Sequence, residues 1–286
     1  MRIAVFGAGG RAGRRVTAEA VRRGHEVVAV VRDVVAHGGL ASDVAALRAA
    51  ELDAAGAVIA GGGHVTVDGR GEVARDGCVS DVAGDRGGSA LARGARPSGV
   101  AAAAGGGAGA WSGSVSVHRG DVTDPASVLR LVDGCDAVVS AVTPASGPEV
   151  LARTRLDERY FVKAADALLA AGAPRIVVVG LFATLYDDSG NLVMDDPSAF
   201  PPQLRAFAQA HLAGLERLRQ ETGQRWLVLT PTARLEPDGE RTGRYRLGGE
   251  QLPHDESDGL SYADLAVAVL DEIERPTRYG RVVVYR

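Results

Sequence analysis

The chain has almost no cysteine: Cys78 and Cys135 are the two thiols in 286 residues. Two cysteines make neither a disulfide framework nor a thiolate metal cluster, so no metal site is expected. Lysine is scarcer still. Lys163 is the single lysine among 32 basic residues, and the other 31 are arginine. Long apolar runs are missing as well. No stretch approaches the ~20 residues that a membrane span needs. The opening MRIAVF is too short for a signal-peptide core and has no cleavage pattern behind it. Excess positive charge is lacking too: the net charge of −4 leaves no electrostatic footprint for nucleic acid. A soluble, cytoplasmic protein that binds neither membrane nor nucleic acid is expected, and its oligomeric state stays open.

What is present reads as ordinary globular protein. Hydrophobic residues make up 46% and charged residues 24%, and the length suits one large α/β domain or a domain with a small lobe. Ile3–Phe6 reads as a buried strand, followed by a helix with Ala12, Val16 and Ala20 on one face and Gly24 as its stop. Glu26–Val31 lacks alternation, as a strand covered on both faces should. Further strands are expected at Val115–His118, Ala137–Ser140, Arg175–Val179 and Trp226–Thr230. Between them, Thr123 or Asp124 can cap a helix with Pro125 at its first position. Long helices are expected over Glu149–Ala171 and Leu204–Gln220. Strands alternating with helices predict a doubly wound parallel sheet.

Residues 34–114 break the rhythm. These 81 residues hold 19 of the 38 glycines, with runs such as AAAAGGGAGA at 101–110. Asp43–Ala54 can form a crossover helix, but the remainder offers too little apolar surface to offset its ordering entropy. The stretch reads as a Gly/Ala-rich insertion, partly disordered, serving as a lid or as a bland expansion. The division expected is a Rossmann-type core over 1–33 and 115–232, the insertion over 34–114, and a C-terminal substrate lobe with a final helix and strand over 233–286.

The stretch GAGGRAG at residues 7–13 carries the first chemistry. Gly7, Gly9 and Ala12 fit one phosphate-loop register, and Gly7, Gly10 and Gly13 fit another. In either, the first glycine makes a tight turn and the second admits a pyrophosphate to the backbone. The last lets helix pack on strand, with the helix N-terminus facing the negative charge. Its place between a strand and a helix is the context that such a motif requires. Arg32 ends the second strand where an acid would grip the ribose of NAD, and its guanidinium suits a 2′-phosphate. Arg11 can add to the same pocket, whereas Asp33 can reach a ribose hydroxyl instead. NADP is therefore the expected cofactor, with NAD as the alternative. Asp121 and Val122 should flank an adenine ring, with a turn as the other role for Asp121. Ala141, Val142 and Thr143 should line the nicotinamide-ribose side.

In this order the sequence resembles the atypical short-chain dehydrogenase/reductases, and within them the NAD(P)H-binding branch assigned as NADH-flavin reductases and related to NmrA-like proteins. The resemblance rests on GAGGRAG at 7–13, VVRD at 30–33, GDVTDPASV at 120–128, DAVVSAV at 136–142 and RIVVVG at 175–180. EPDGERTGRYRLGGEQL at 236–252 and SYADLAVAVLDEIERP at 261–276 extend it through the C-terminal part. It implies a Rossmann-type fold, a nicotinamide cofactor and a flavin-like, quinone or polycyclic aromatic acceptor. Family members often carry GGAGSL after the fifth strand, where this chain has Gly180 to Leu185. Thr184 keeps the hydroxyl, while Leu181 and Phe182 replace small residues. The wider superfamily uses a tyrosine with a lysine four residues on. Here Phe207 and His211 occupy those two positions.

His211 is thus a candidate proton donor, or a plain helix histidine. Tyr186 either offers a phenol to substrate or covers the cleft. Tyr160 and Lys163 read as surface groups on the wrong side of the site. Transfer of hydride to a flavin or quinone needs no protein acid, so a reductase remains the leading expectation. An NADP-binding regulator without turnover and a repurposed isomerase or cyclase are the alternatives.

Overall fold

The computed structural model describes residues 1–36, 39, 40, 42, 46, 113–145, 148–153, 156–254 and 259–286. These belong to one compact unit made of Met1–Leu52 and Trp111–Arg286. Most of the insertion, with nearly all of the crossover helix expected over Asp43–Ala54, lies outside the described residues.

The chain runs β1 (Arg2–Phe6), α1 (Arg11–Arg22), β2 (Glu26–Val31), β3 (Ser114–Arg119), α2 (Pro125–Val132), β4 (Ala137–Ser140), α3 (Pro148–Arg153) and α4 (Tyr160–Ala170). It continues through β5 (Arg175–Val179), α5 (Arg205–Arg219), β6 (Trp226–Pro231), β7 (Leu235–Glu236), β8 (Arg246–Leu247), β9 (Leu260–Ser261), α6 (Tyr262–Glu274) and β10 (Gly280–Tyr285). Eight strands form one sheet in the order β3-β2-β1-β4-β5-β6-β10-β8, and β7 pairs with β9 in a small second sheet. In the large sheet every pairing is parallel except that of β8 with β10.

Alternation along each strand explains the double winding. Ile3, Val5, Val27 and Ala29 face a core shared with Val16 and Ala20 of α1 and Leu265 and Val269 of α6. Ala4, Phe6, Val28 and Val30 face the opposite core, built with Val128 of α2, Leu168 of α4 and Leu215 of α5. Both faces are covered, so the strands read as unbroken apolar runs. The result is the expected Rossmann-type α/β sheet. Residues 233–286 join this same unit, because β8 and β10 extend the sheet and α6 packs into the α1 core.

The long helix expected over Glu149–Ala171 is instead two helices, α3 and α4. Asp157 is the physical reason. Its Oδ1 accepts the Arg159 N–H at 3.0 Å and its carbonyl accepts the Tyr160 N–H at 2.9 Å. An aspartate that bonds the backbone just ahead of it competes with helix and restarts the chain. Asp124, in contrast, caps α2 as its sequence suggests, accepting the Ala126 N–H at 3.1 Å with Pro125 at the first position.

One buried carboxylate ties the C-terminal segment to the first helix. Glu19 on α1 is 4% exposed and accepts bidentate hydrogen bonds from Arg22 and Arg241, plus one from Arg23 at 2.7 Å. Burial alone would raise its pKa, but the arginines outweigh that and hold it at about 2. Next to Arg241, Asp264 of α6 receives the N–H groups of Thr242 and Gly243 and the Thr242 hydroxyl. Removing one partner from such a cluster strands buried charge. Glu19→Ala should cost ~3–5 kcal/mol in denaturant unfolding, while Arg22→Ala, on the solvent side, should cost under ~1 kcal/mol. Equal effects would show that Glu19 does not anchor the segment.

Candidate functional site

The site begins where β1 turns into α1. Gly7 has φ +79°, the left-handed region, and a Cβ there would overlap the carbonyl oxygen of Ala141 at the end of β4. A Cβ on Gly13 would collide with the carbonyl of Gly7. The turn therefore closes only with bare backbone at both places. Its N–H groups at Gly7 and Ala8 bond the Val30 carbonyl of β2, at 3.1 and 3.2 Å. Gly10 stands at the N-cap of α1 with no side-chain cap, and the first turn holds no acid. The helix end thus presents unsatisfied N–H groups and positive dipole to whatever lies ahead of it. This fits a pyrophosphate. Gly9, Gly10 and Arg11 are on this turn, with Arg11 exposed, while Ala12 packs into the core below it.

Around the turn lie the carboxyl ends of β2, β3 and β4, because β1 and β4 are neighbours at the point where the strand order reverses. Arg32, just past β2, is exposed and donates from Nη1 to the Pro144 carbonyl at 3.1 Å and from Nη2 to that of Thr143 at 3.5 Å. It is thereby held across the cleft toward the loop after β4. Asp33 is engaged locally, with Oδ1 accepting the N–H groups of Val35 and Ala36. Asp121 takes the turn role: its Oδ1 accepts the N–H and hydroxyl of Thr123 at 2.8 and 2.7 Å. Val122 is buried in the α2 core. Ala141 and Val142 are half-buried, and Thr143 is exposed with its hydroxyl on the Ala145 carbonyl.

The structure brings two of the three candidate catalytic residues together. Thr184 and His211 both line a cavity between the sheet and α4 and α5, walled by Ser140, Phe161 and Gly214. The helices approach closely here, since a Cβ on Gly214 would stand 2.6 Å from that of Phe161. The cavity has room for about two waters and far too little for a conjugated ring. The Thr184 hydroxyl donates to the Leu181 carbonyl at 2.8 Å. His211 stacks on Phe161 at 3.7 Å between centroids and meets the edge of Phe207 at 4.8 Å. Among the described residues its ring has no hydrogen-bond partner, and burial pushes its pKa down to about 3. The imidazole is neutral at pH 7.

Tyr186 belongs elsewhere. Its ring lies 5.0 Å beneath the Arg281 guanidinium, and its backbone bridges to Leu192 and Gln251. Phe182 packs edge-on against Phe200 at 5.6 Å, and with Leu181 it walls an apolar cluster around Met194.

Tyr160 corrects the sequence reading. Lys163 is an exposed group paired with Asp157 at 2.7 Å, as expected. Tyr160, the first residue of α4, is half-buried against Phe161 and clusters with Val142 and Leu181. Burial raises its pKa, Arg32 counteracts this and Asp121 adds to it, so the phenol lies within electrostatic reach of both. The signal was topological. A helix between parallel strands runs against them, so its first residue lies at their carboxyl ends, on the ligand side.

The buried imidazole makes a pH signature. In the unfolded chain it charges near the ordinary histidine value of ~6.5, whereas the fold keeps it neutral down to about 3. Between these values the unfolded chain takes up a proton that the folded one refuses, so stability falls as pH drops from about 6.5 toward 3. His211→Leu should flatten this acid limb in thermal melts recorded at a series of pH values. Superimposable limbs would mean that the ring titrates freely in the fold.

Comparison with known proteins agrees with this geometry. The sequence model of the NAD(P)H-binding family matches residues 90–276, more than half of the chain. The uncharacterized protein YwnB of Bacillus subtilis (strain 168) is 36% identical over 149 residues, covering 49% of this chain and 65% of that one. Among solved structures, SP1627 of Streptococcus pneumoniae TIGR4, assigned as an NADH-flavin reductase, superposes with a TM-score of 0.60 at 23% identity, covering 100% of this chain and 99% of that one. ChuY, an anaerobilin reductase of Escherichia coli O157:H7, does so with a TM-score of 0.52 at 17% identity, covering 100% and 97%. With its glycine turn, bare helix N-terminus and doubly wound sheet, the chain belongs to the NAD(P)H-binding family.

Proposed function

We propose that the chain is an NAD(P)H-dependent oxidoreductase of the atypical short-chain type that reduces a flat conjugated acceptor, a flavin, a quinone or a related polycyclic aromatic. The observation that carries this reading is the pairing of a backbone phosphate cradle with an apolar wall. The family resemblance aligns Phe207 and a neutral His211 with the superfamily's tyrosine and lysine, and Leu181 and Phe182 make the adjoining surface apolar. When bound, the nicotinamide supplies the hydride, and acceptors of this class need orientation and exclusion of water more than a protein proton donor. The names of the pneumococcal and Escherichia coli neighbours, an NADH-flavin reductase and an anaerobilin reductase, support the same acceptor class.

Each residue then has a task. The N–H groups of the first turn of α1, from Arg11 to Gly13, hold the pyrophosphate at the helix N-terminus. Arg32, with Arg11 beside the turn, takes the 2′-phosphate. Ala141, Val142 and Thr143 flank the nicotinamide ribose, and Phe182 shapes the acceptor wall. Tyr186 and His211 support this wall, and Thr184 sets its turn.

Two measurements test this. Following NADPH oxidation against a panel of flavins and quinones should reveal turnover, and Phe182→Ala should change the order of preferred acceptors. His211→Ala should lower turnover less than ~tenfold, well short of the 10²–10⁴ typical of an acid catalyst. Tight NADPH binding without any turnover would favour a nucleotide-sensing regulator instead. The second measurement concerns cofactor choice. Loss of one charge-assisted phosphate contact costs ~1.5–3 kcal/mol, so Arg32→Ala should weaken NADPH binding roughly tenfold to over a hundredfold. NADH affinity should hold within about twofold. Equal loss for both cofactors would leave Arg32 with only its contacts to the loop after β4.

A further inference from the structure

One charge in the molecule is buried without an obvious structural need. The side chain of Arg281, on β10, has no exposed surface at all. Its Nη1 donates to the carbonyl of Thr184, its Nη2 to Glu250 Oε2 at 2.8 Å, and its Nε has no partner. The guanidinium lies over the Tyr186 ring at 5.0 Å. Glu250 is shared: Arg219 at the end of α5 reaches both its oxygens, at 2.8 and 2.7 Å. The Glu250 backbone carbonyl also accepts the Tyr186 N–H at 3.0 Å, and the Tyr186 carbonyl accepts the Leu252 N–H at 2.8 Å. A buried guanidinium with an orphaned N–H is an expensive way to fill space, and apolar residues of similar volume often serve stability better.

What the charge does is local. It converges on the turn Phe182–Thr184, which follows β5 and closes on itself through Thr184 N–H to the Leu181 carbonyl and Leu185 N–H to that of Phe182. With the Thr184 hydroxyl also bonded to the Leu181 carbonyl, the turn's own hydrogen bonds stay local, while Phe182 and Leu185 pack on Val283 of β10. Arg281 adds the directional contact from β10 by holding the Thr184 carbonyl. We propose that Arg281, set by Glu250, is the positioning residue of the loop at 181–186, holding Leu181 and Phe182 at the distance from the cofactor cleft that a flat acceptor requires. This rests on the reading of that loop as the acceptor wall.

The test uses the full chain with Glu250→Gln, Arg281→Met and Arg281→Lys. Glu250 is partly exposed, so its amide variant should fold even where a change at Arg281 does not. Hydrogen exchange of the Thr184, Leu185 and Tyr186 amides should quicken at least tenfold in Glu250→Gln and Arg281→Met. NADPH affinity, set at the far glycine turn, should change less than about twofold. With a quinone or flavin acceptor, KM should rise at least fivefold while kcat falls less than twofold, and Arg281→Lys should recover part of the loss by still reaching the Thr184 carbonyl.

A fall in melting temperature with unchanged exchange at 184–186 would overturn the proposal, leaving Arg281 as a buried charge of stability alone. Faster exchange with unaltered KM and kcat would overturn it as well. A wild-type chain that binds NADPH but turns over no acceptor would sink the oxidoreductase reading, and the exchange arm would still decide whether Arg281 holds the loop.

Discussion

Gly7 sits with its backbone against the carbonyl of Ala141, and Gly13 sits against the carbonyl of Gly7. These two contacts set the distance between β1, α1 and the end of β4, and no side chain can enter either gap. What would suit a phosphate follows from that spacing. The helix N-terminus is left bare, its N–H groups face the crevice, and the carboxyl ends of β2 and β4 come within reach of a single guanidinium, that of Arg32. A turn one side chain wider would push α1 off the sheet and close the crevice from the other direction.

Two buried charges then fasten what the sheet alone leaves loose. Glu19 joins α1 to the segment after β7 through Arg241, and Arg281 joins the loop after β5 to β10 and α5 through Glu250. Each holds polar chain outside the regular elements in one conformation. Ion pairs at such places contribute geometric definition more than net stability, because desolvation consumes much of the Coulombic gain. The near absence of lysine suits this use. A planar fork with fixed donors can serve several acceptors at once, as Arg23 and Arg281 do.

The cavity beside His211 shows how a familiar pattern changes role when its neighbours change. A half-buried histidine between Phe161 and Phe207 is desolvated enough to hold its ring neutral at pH 7. The same residue on a polar face would titrate near neutrality.

Much of the architecture was legible in the sequence. Strand runs without alternation implied a sheet covered on both faces, Pro125 after Asp124 marked a helix start, and GAGGRAG between strand and helix marked the tight glycine turn. These signals are local, carried by backbone conformation and by periods of two and 3.6 residues. The break between α3 and α4 escaped because one aspartate, Asp157, overrode a long helical pattern. Tyr160 escaped because its side of the sheet depends on the direction of the whole helix rather than on any neighbour in sequence. Arg281 and Glu250 stand 97 and 66 positions from Thr184 in sequence, and Tyr186 left the expected cleft to lie beneath that guanidinium. Composition, periodicity and turn chemistry determined the sheet, its helices and the glycine turn. Which charges meet, which ring is kept neutral and which carbonyl Arg281 reaches were decided only by tertiary structure, because burial and long-range pairing exist only once distant segments share a volume.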